Sequence, residues 1–425
     1  MRILIRGGRV VDPASGRDAV GDVVLADGKI AALDGSAKGA SADRTIEAKG
    51  LVVAPGLVDL SARLREPGYE YKATLESEMD AAVAGGVTSL ACPPDTDPPL
   101  DEPGLVDMLR RRAKALARSR LYPVGALTVK LAGETLTEMA ELAETGCVAF
   151  SQANEPVVDT QVLWRALQYA ATFGFPVWLR AQDQWLSKEG VAHDGEMATR
   201  LGLPGIPVLA ETVALGTILE LVRATGARVH VCRLSSAAAV GMMKRAKADG
   251  LPVSCDVGIH HVHLCEVDLG YFDPLCRLDP PLRSQRDREA LASGLADGTI
   301  DCTCSDHTPV DEDHKHLPFS EAEPGATGLE LLLPLTLRWG AARGLPLAQT
   351  LAKVTSEPAR ILGVSSGRVA VGAPADLIVF DPEAPLRVSA ETLRSQGANS
   401  PFLGYELAGR VRVTLVAGQP VYEQP

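Results

Sequence analysis

Clustered histidines and cysteines are the residues of this sequence whose types and spacing could support metal or proton chemistry. Three of the eight histidines stand in one short segment, His260-His261-Val262-His263, and imidazole is the commonest metal ligand in proteins. Cys302 and Cys304 lie two residues apart in an apolar run, so that in a strand both thiols would face the same side. None of the eight cysteines belongs to a Cys-x-x-Cys pair. We therefore interpret the cysteines as buried free thiols of a reducing compartment.

Further histidines stand beside other polar or apolar residues. The run Asp311-Glu312-Asp313-His314-Lys315-His316 is strongly charged, which is typical of a solvated loop. His230 lies inside an apolar run, and we expect it to pack within a strand. His307 follows Asp306, and we expect it to be a hydrogen-bonding partner rather than a metal ligand.

Alternating strand-like and helix-like segments in the middle of the chain would position these side chains. The strand-like segments are Leu51–Leu60, Val87–Cys92, Leu121–Leu127, Cys147–Phe150, Pro176–Leu179, Val229–Leu234, Val253–Val257 and Ile300–Cys304. The helix-like segments include Leu75–Ala84, Val162–Ala171, Ala210–Ala224 and Ala237–Ala248. Eight strands alternating with helices predict an α/β fold, a (β/α)8 TIM barrel, whose chemistry takes place at the C-terminal ends of the strands.

Short strand-like runs separated by turns occupy both ends of the chain. Examples are Val23–Leu25 near the start and Asp376–Phe380 near the end. We expect the two ends to pair into one small β domain with the barrel inserted between them. The predicted boundaries are residues 1–53 plus 368–425 for a small β-sandwich domain and 54–367 for the barrel.

The composition excludes several classes of protein. With 46% hydrophobic and 23% charged residues, the 425-residue chain is expected to fold throughout. The net charge of −12 disfavours a nucleic-acid partner. No apolar run reaches the ~18 residues of a membrane helix, and the start, Met1–Gly8, is too short and too polar for a signal peptide. We therefore expect a cytoplasmic protein with no membrane association.

Several longer motifs resemble one known family, the type I dihydroorotases, which are zinc-dependent cyclic amidohydrolases of pyrimidine biosynthesis. In the family's order along nearly the whole chain, these motifs are Gly56–Tyr69, Tyr71-Lys72, Ala84–Ser89, Pro280–Arg283, Ser305–Pro309 and Ser400–Gly404. The resemblance implies the amidohydrolase type of barrel, with a small composite β domain formed by both termini. It also places His260 and His261 in a structural loop after the seventh strand.

The departures from this family fall on the positions that would bind metal. In an active member, two histidines follow the first strand and an acidic residue follows the fourth. One histidine follows the fifth strand, another follows the sixth, and an aspartate follows the last. The matching positions of this chain hold Ser61, Arg63, Gln152, Arg180, Arg233 and Asp306. The resemblance therefore implies a degenerate site in which only the last acidic position is retained.

Arginine at these positions is incompatible with zinc chemistry. Zinc needs imidazole, thiolate or carboxylate donors with free lone pairs. A guanidinium group stays protonated and offers only N–H donors. Three arginines would thus remove ligands and also repel a divalent cation. Without the metal, the site lacks both an activated water and a Lewis acid, so we expect no zinc and no catalytic residues.

The positions that would bind substrate are also altered. Arg65, which in the family grips the substrate carboxylate, is retained. Asp95 and Asp279 each replace an asparagine of the family, and an aspartate is an acceptor-only anion. We expect Arg63, Arg180 and Arg233 to pair with Asp95, Asp279 and Asp306 where zinc would otherwise lie.

The resemblance also suggests a role without catalysis. Some bacteria carry a degenerate dihydroorotase that assembles with the catalytic chain of aspartate carbamoyltransferase and stabilises it. We expect this chain to be such a non-catalytic structural subunit, in a hetero-oligomer and also as a candidate homodimer.

Two alternatives remain open on the sequence. The first is an active zinc amidohydrolase with a rearranged ligand set that includes Asp306 and the remaining histidines. The second is a small-anion sensor that uses Arg63, Arg65, Arg180 and Arg233.

Overall fold

The strands of this protein divide among a sheet built from both chain ends, a central barrel and a small two-stranded sheet. The structure is a computed structural model that describes residues 2–34 and 42–424. The strands are β1 (Ile3–Asp12), β2 (Arg17–Ala26), β3 (Lys29–Leu33), β4 (Arg44–Glu47), β5 (Val52–Pro55), β6 (Leu57–Asp59), β7 (Val87–Cys92), β8 (Arg120–Ala126), β9 (Ala149–Ser151), β10 (Val177–Arg180), β11 (Ala192–His193), β12 (Gly205–Ile206), β13 (Val229–Cys232), β14 (Val253–Gly258), β15 (Cys302–Cys304), β16 (Leu377–Arg387), β17 (Glu406–Val416) and β18 (Gln419–Glu423).

Helices connect the barrel strands and cover their outer surface. They are α1 (Leu75–Ala84), α2 (Pro103–Leu116), α3 (Met139–Thr145), α4 (Thr160–Phe173), α5 (Gln184–Ser187), α6 (Glu196–Leu201), α7 (Val208–Thr225), α8 (Ala237–Ala248), α9 (Ile259–His263), α10 (Gln285–Asp297), α11 (Glu312–Lys315), α12 (Leu332–Ala342), α13 (Leu347–Ala352) and α14 (Ser356–Leu362). Local capping explains two of the predicted boundaries. Thr74 and Ser77 form a reciprocal capping box at the start of α1, and the Ser236 hydroxyl accepts a hydrogen bond from the Ala239 amide at the start of α8.

Eight parallel strands form the barrel, in the order β6, β7, β8, β9, β10, β13, β14, β15. The first and last of these meet just beyond their ends, where Ala62 bridges His307 in parallel. The Arg63 amide donates to the His307 carbonyl at 2.9 Å, and the His307 amide donates to the Ser61 carbonyl at 3.1 Å. The predicted TIM barrel is thereby confirmed, and this closure brings Ser61 and Arg63 beside Asp306.

The second large sheet joins the two ends of the chain. Strand β5 pairs in parallel with β1 and antiparallel with β16, which continues to β17 and β18. The composite β domain is therefore present. The exact boundaries at 53/54 and 367/368 stay a prediction, and residues 1, 35–41 and 425 of the predicted β-sandwich segments lie outside the described residues.

One predicted strand is wrong as a unit. The apolar run Leu51–Leu60 was expected to be a single barrel strand, but it divides at Gly56 into β5, in the terminal sheet, and β6, in the barrel. A Cβ atom at Gly56 would lie 2.2 Å from the Thr88 side chain. Glycine thus permits the close approach at which the chain passes from one sheet to the other.

The cysteines and the helices agree with the expectations from composition. All eight cysteines are free, and all but Cys232 are buried. Among the helices of the described residues, none combines the length and the apolar character needed to cross a bilayer.

Candidate functional site

Three arginines converge at the C-terminal edge of the barrel. Arg63 follows β6, Arg180 ends β10 and Arg233 follows β13. Their side chains are buried, with 4–5% exposure. Two residues of the site, Arg233 (φ 55°) and Asp306 (φ 46°), have left-handed backbone conformations that are uncommon for non-glycine residues. The backbone therefore turns sharply at the strand ends as it directs these side chains.

Arg63 lies between two carboxylates. Its Nε donates to Asp95 at 2.6 Å, and its Nη1 lies 3.4 Å from an oxygen of Asp306. The same Nη1 donates to the Thr308 hydroxyl at 3.2 Å. Burial alone would raise the pKa of Asp95, but the charge and hydrogen bond of Arg63 outweigh it and hold that pKa below its ordinary value.

Arg233 is the second cationic partner of Asp306. Its Nη1 lies 3.0 Å from the Asp306 oxygen that also faces Arg63. Burial, the largest single influence, opposes the charge on Arg233, yet Asp306, Asp279 and other nearby groups together outweigh it and raise the arginine pKa. Asp306, whose side chain is 11% exposed, is thus a shared counterion of two buried guanidinium groups. The Ser61 hydroxyl donates to the same oxygen over a long 3.5 Å.

Arg180 forms a two-pronged pair with Asp279. Nη1 and Nη2 of Arg180 each donate to a different oxygen of the Asp279 carboxylate, the fork geometry in which guanidinium and carboxylate match best. Burial, the largest single influence, would raise the pKa of Asp279, but the charge and hydrogen bonds of Arg180 together with the charges of the other two arginines hold that pKa below its ordinary value. The guanidinium–carboxylate contacts expected from the sequence are therefore present for all three arginines.

Asn154 joins the two ion-pair groups, and the sequence interpretation missed it. Its side-chain oxygen accepts from Arg63 at 3.1 Å and from Arg233 at 2.5 Å. Its amide nitrogen donates to Asp279 at 3.4 Å. The available signal was its position three residues beyond the end of β9, on the catalytic face of the barrel. An uncharged amide at this position is not a metal ligand of the family pattern, which is why the pattern singles out Gln152 and not Asn154.

Arg65 and Gln152 do not face this network in the expected way. Arg65 donates from Nε to the Pro309 carbonyl at 2.7 Å and contacts Glu323 at 3.5 Å. Burial lowers the pKa of Arg65, and nearby Arg63 lowers it further. The amide of Gln152 turns away toward Thr128, to which its nitrogen donates at 2.8 Å. Glu323, which accepts from Lys72 at 2.6 Å and also contacts Arg65, was missed by the sequence interpretation as well.

The clustered histidines are held by backbone carbonyls. His261 Nε2 lies 2.9 Å from the Pro280 carbonyl, and His263 Nε2 lies 2.9 Å from the Leu335 carbonyl. His260 Nε2 lies 3.3 Å from the Thr327 carbonyl. Burial lowers the pKa of all three, to about 4 for His260 and His263. Their Nε2 atoms thus point to separate carbonyl groups, whereas the buried Nδ1 of His261 has no hydrogen-bond partner. Among the described residues, Asp306 does not belong to a group of three ligand atoms close enough to share a metal.

Among the residues that the structure describes, His230, Cys232 and Asp256 are the group whose donor atoms lie close enough to share a metal, within 4.8 Å of one another. Their lone pairs and protons are already engaged. His230 contacts Ser254 at 2.8 Å and Asp256 at 3.1 Å, and the other Asp256 oxygen accepts from the Arg233 amide. Burial, followed by the charge of Asp256, raises the pKa of the Cys232 thiol well above its ordinary value. The group is therefore a hydrogen-bonded part of the barrel interior.

His307 is paired with a glutamate rather than with Asp306. Its Nε2 lies 2.5 Å from Glu78, and both side chains are fully buried. Burial, the largest single influence, raises the pKa of Glu78, but His307 together with the hydrogen bonds from Ser395 and the Gln396 amide holds that pKa below its ordinary value. This pair ties the loop after β15 to helix α1, which fixes the loop that carries Asp306.

The residues at the barrel mouth do not fit a zinc ion or a zinc pair. Two zinc ions would need several free lone pairs at this edge. Here Arg63, Arg180 and Arg233 present N–H donors, and the carboxylates they face accept from those donors. The arrangement can balance buried charge and can hold loops together. It offers no set of free donors that would activate a water molecule.

Comparisons with known proteins agree with this architecture. A family model described as "Dihydro-orotase-like" matches residues 50–239, and a model described as "Amidohydrolase family" matches residues 188–422. A "Dihydroorotase-like protein" of Pseudomonas aeruginosa is 46% identical over 423 residues and covers 100% of both chains. A "Dihydroorotase" of Geobacter sp. (strain M21) is 40% identical over 423 residues, again covering 100% of both chains.

A solved structure extends the similarity to three dimensions. L-hydantoinase (dihydropyrimidinase) from Arthrobacter aurescens superposes with a TM-score of 0.89 at 26% sequence identity. The superposition covers 99% of this chain and 96% of that chain. The likeness therefore includes the terminal sheet as well as the barrel.

Proposed function

Because the chain belongs to the dihydroorotase-like members of the amidohydrolase family, we propose that it is a catalytically inactive homologue. We further propose that it serves in the cytoplasm as a non-catalytic structural subunit with the catalytic chain of aspartate carbamoyltransferase in pyrimidine biosynthesis. The proposal of inactivity rests on one observation: Asp306 contacts both Arg63 and Arg233. The retained acidic residue is thereby engaged as a counterion.

The energetic requirement for hydrolysis supports inactivity. Enzymes accelerate reactions by about 10⁶-fold or more, whereas general base catalysis alone supplies about 10²–10⁴-fold. A metal would have to provide most of the remainder by activating water and polarising the amide. The arginines at the barrel mouth replace the donors that such a metal requires.

The proposed partner rests on the family resemblance rather than on a contact seen in this chain. A fold that has lost its chemistry but retains a closed barrel and a well-packed composite sheet can still act through its surface. A stable assembly would bury at least about 1,000 Å². The 46% identical relative carries the name "Dihydroorotase-like protein", which is compatible with a homologue that differs from the enzymes.

The two alternatives receive less support from the geometry. An active amidohydrolase with a rearranged ligand set needs histidines near Asp306, but His260 and His263 contact backbone carbonyls instead. A sensor of small anions needs unoccupied guanidinium donors, but Arg63 and Arg180 are already bound to Asp95 and Asp279.

Co-assembly with the transcarbamoylase tests the proposal directly. The purified chain and the aspartate carbamoyltransferase catalytic chain of the same organism are mixed at micromolar concentration, and the mass of the mixture is measured by light scattering after gel filtration. We expect one species heavier than either protein alone, and a transcarbamoylase that survives heating longer in the mixture. Separate elution of the two chains at this concentration would remove the support for the assembly role.

A matched control variant tests whether assembly depends on residues at the barrel mouth. The Arg65→Met variant changes a buried residue at the mouth and leaves the outer surface unchanged. We expect this variant to assemble with the transcarbamoylase as the unaltered chain does, because the proposed role does not use the mouth for chemistry.

A further inference from the structure

A groove lined by basic side chains lies at the end of the barrel opposite the mouth. Helix α2, the start of β8 and the turn between β17 and β18 form its walls, and its volume is about 1360 Å³. Strand β8 begins at Arg120, and the N-terminal ends of barrel strands face away from the catalytic edge. The cations that line this groove, called the basic groove below, are Arg110, Arg111, Lys114, Arg118 and Arg120.

Positive charge is concentrated here although the chain is acidic as a whole. The net charge is −12, yet the sequence between Asp107 and Glu134 contains seven lysines and arginines and no acidic residue. Charges separated by more than about 8 Å are largely screened at physiological ionic strength. A ligand at the basic groove therefore responds mainly to the cations of the groove itself.

Two of the five cations have no carboxylate partner among the described residues. The Arg110 guanidinium donates to the Thr145 carbonyl, which leaves its positive charge uncompensated. The Lys114 ammonium forms no hydrogen bond or ion pair within the described part of the chain. The other three cations are compensated, in the ion pairs Arg111–Asp107, Arg118–Asp80 and Arg120–Asp376.

The spacing of the two uncompensated cations matches an extended acidic segment. Arg110 and Lys114 lie four residues apart on one face of α2, where like charges destabilise a helix slightly. Four residues of helix span about 6 Å. In an extended strand, alternate side chains face the same side at a spacing of about 6.6–6.8 Å. Carboxylates at alternate positions of an extended segment can therefore face both cations together.

The openness of the groove favours a protein segment over a small molecule. The side chains of Arg110, Arg111 and Lys114 are exposed, whereas sites for small molecules enclose most of the ligand surface. Gln419 and Val421 of β18 line the opposite wall. Among the described strands β18 pairs with β17 alone and ends its sheet. An end strand offers backbone donors and acceptors to which an extended peptide can add.

We propose that the basic groove binds an extended acidic segment of a partner protein, with Arg110 and Lys114 contacting its carboxylates. Guanidinium and ammonium groups form strong hydrogen bonds to carboxylates, and complementary charge selects acidic partners over basic ones. The inference goes beyond the proposed function, because the groove lies at the end of the barrel opposite the arginine site and does not require the transcarbamoylase as its partner.

Fluorescence anisotropy of the full chain with a labelled peptide of alternating glutamate and serine tests this inference. We expect saturable binding that weakens as salt is added, and no binding of the matched peptide of glutamine and serine. The Lys114→Glu variant should weaken binding without disturbing the fold, because its side chain holds no contact with the described residues. The Arg110→Glu/Lys114→Glu variant should raise the dissociation constant at least about 10-fold.

A control variant makes the same change of charge outside the groove. Lys188 and Arg200 are exposed and do not line it, so Lys188→Glu/Arg200→Glu should alter the dissociation constant by no more than about 2-fold. Circular dichroism verifies that each variant is folded.

Three results would overturn the inference. The first is an acidic peptide that does not bind the unaltered chain, and the second is an equal loss of binding in the groove variant and the control variant. The third is tighter binding of inorganic triphosphate or of an oligothymidine, which would assign the groove to phosphate anions or to nucleic acid. Because the assay contains no transcarbamoylase, its result is independent of the proposed function.

Discussion

Replacing Asp306 with asparagine is expected to lower the free energy of unfolding by about 3–5 kcal/mol, the usual cost of removing one partner from a buried ion pair. Asp306 is the shared counterion of Arg63 and Arg233, and all three side chains are no more than 11% exposed. Asparagine keeps the shape of the side chain and tolerates the left-handed backbone at this position. The expected loss therefore comes from the missing charge.

Urea denaturation of the two proteins measures this difference. The control is Glu134→Gln, which removes the same charge from an exposed position and should change stability by no more than about 0.5 kcal/mol. An Asp306→Asn variant as stable as the unaltered chain, or more stable, would contradict the account. That result is typical of a residue reserved for catalysis at the expense of stability.

The Arg180–Asp279 pair gives the second large effect. We expect Asp279→Ala alone to destabilise the protein by about 2–3 kcal/mol, at or below the low end for buried pairs because the Asp279 side chain is 25% exposed. The double variant Arg180→Met/Asp279→Leu should recover most of this loss, since two apolar side chains leave no unpaired charge. A cycle that combines the single variants Arg180→Met and Asp279→Leu with this double variant measures the coupling.

The pH dependence of this cycle provides an independent check. The pKa of Asp279 is lowered in the folded protein, so its stabilisation is fully present above the ordinary aspartate pKa of about 3.9. The stabilisation is lost as the pH falls through the lowered pKa of the folded state. The penalty of Asp279→Ala should accordingly shrink in acid. Additive losses in the double variant at neutral pH would show that the two side chains do not act as a pair.

The barrel followed from the sequence because its signals are local and repeated. Helices α1 and α8 have the predicted bounds, and β7 coincides with the apolar run Val87–Cys92. The passage between the two sheets at Gly56 could not be predicted from an apolar run. It depends on the approach of Thr88, which lies 32 residues further along the chain.

The site was predictable only where a charged residue stood at a strand end. The pairing of Arg63, Arg180 and Arg233 with aspartates follows from the cost of burying unpaired charge. Asn154 was missed because an uncharged amide gives no electrostatic signal in a sequence, although it bridges both groups. Glu323 was missed because it lies in a loop whose path toward Lys72 is set by tertiary structure.

The physical role of the arginines is to supply fixed positive charge at the barrel mouth. Asp95, Asp279 and Asp306 converge there, and without cations their mutual repulsion would oppose folding. Guanidinium groups provide that charge with directional hydrogen bonds and need no cofactor. Arginine at these positions also removes the ligands that a metal would need. The same three residues thus stabilise the fold and prevent metal-dependent hydrolysis.

Hydrolysis of dihydroorotate is the measurement that tests the central claim most directly. The purified chain is incubated with an excess of zinc, ring opening is followed spectrophotometrically, and an active zinc-dependent dihydroorotase serves as the positive control. We predict no rate above that of the zinc-containing buffer. A zinc-dependent turnover within the ordinary enzyme range of about 1–10³ s⁻¹ would contradict the account.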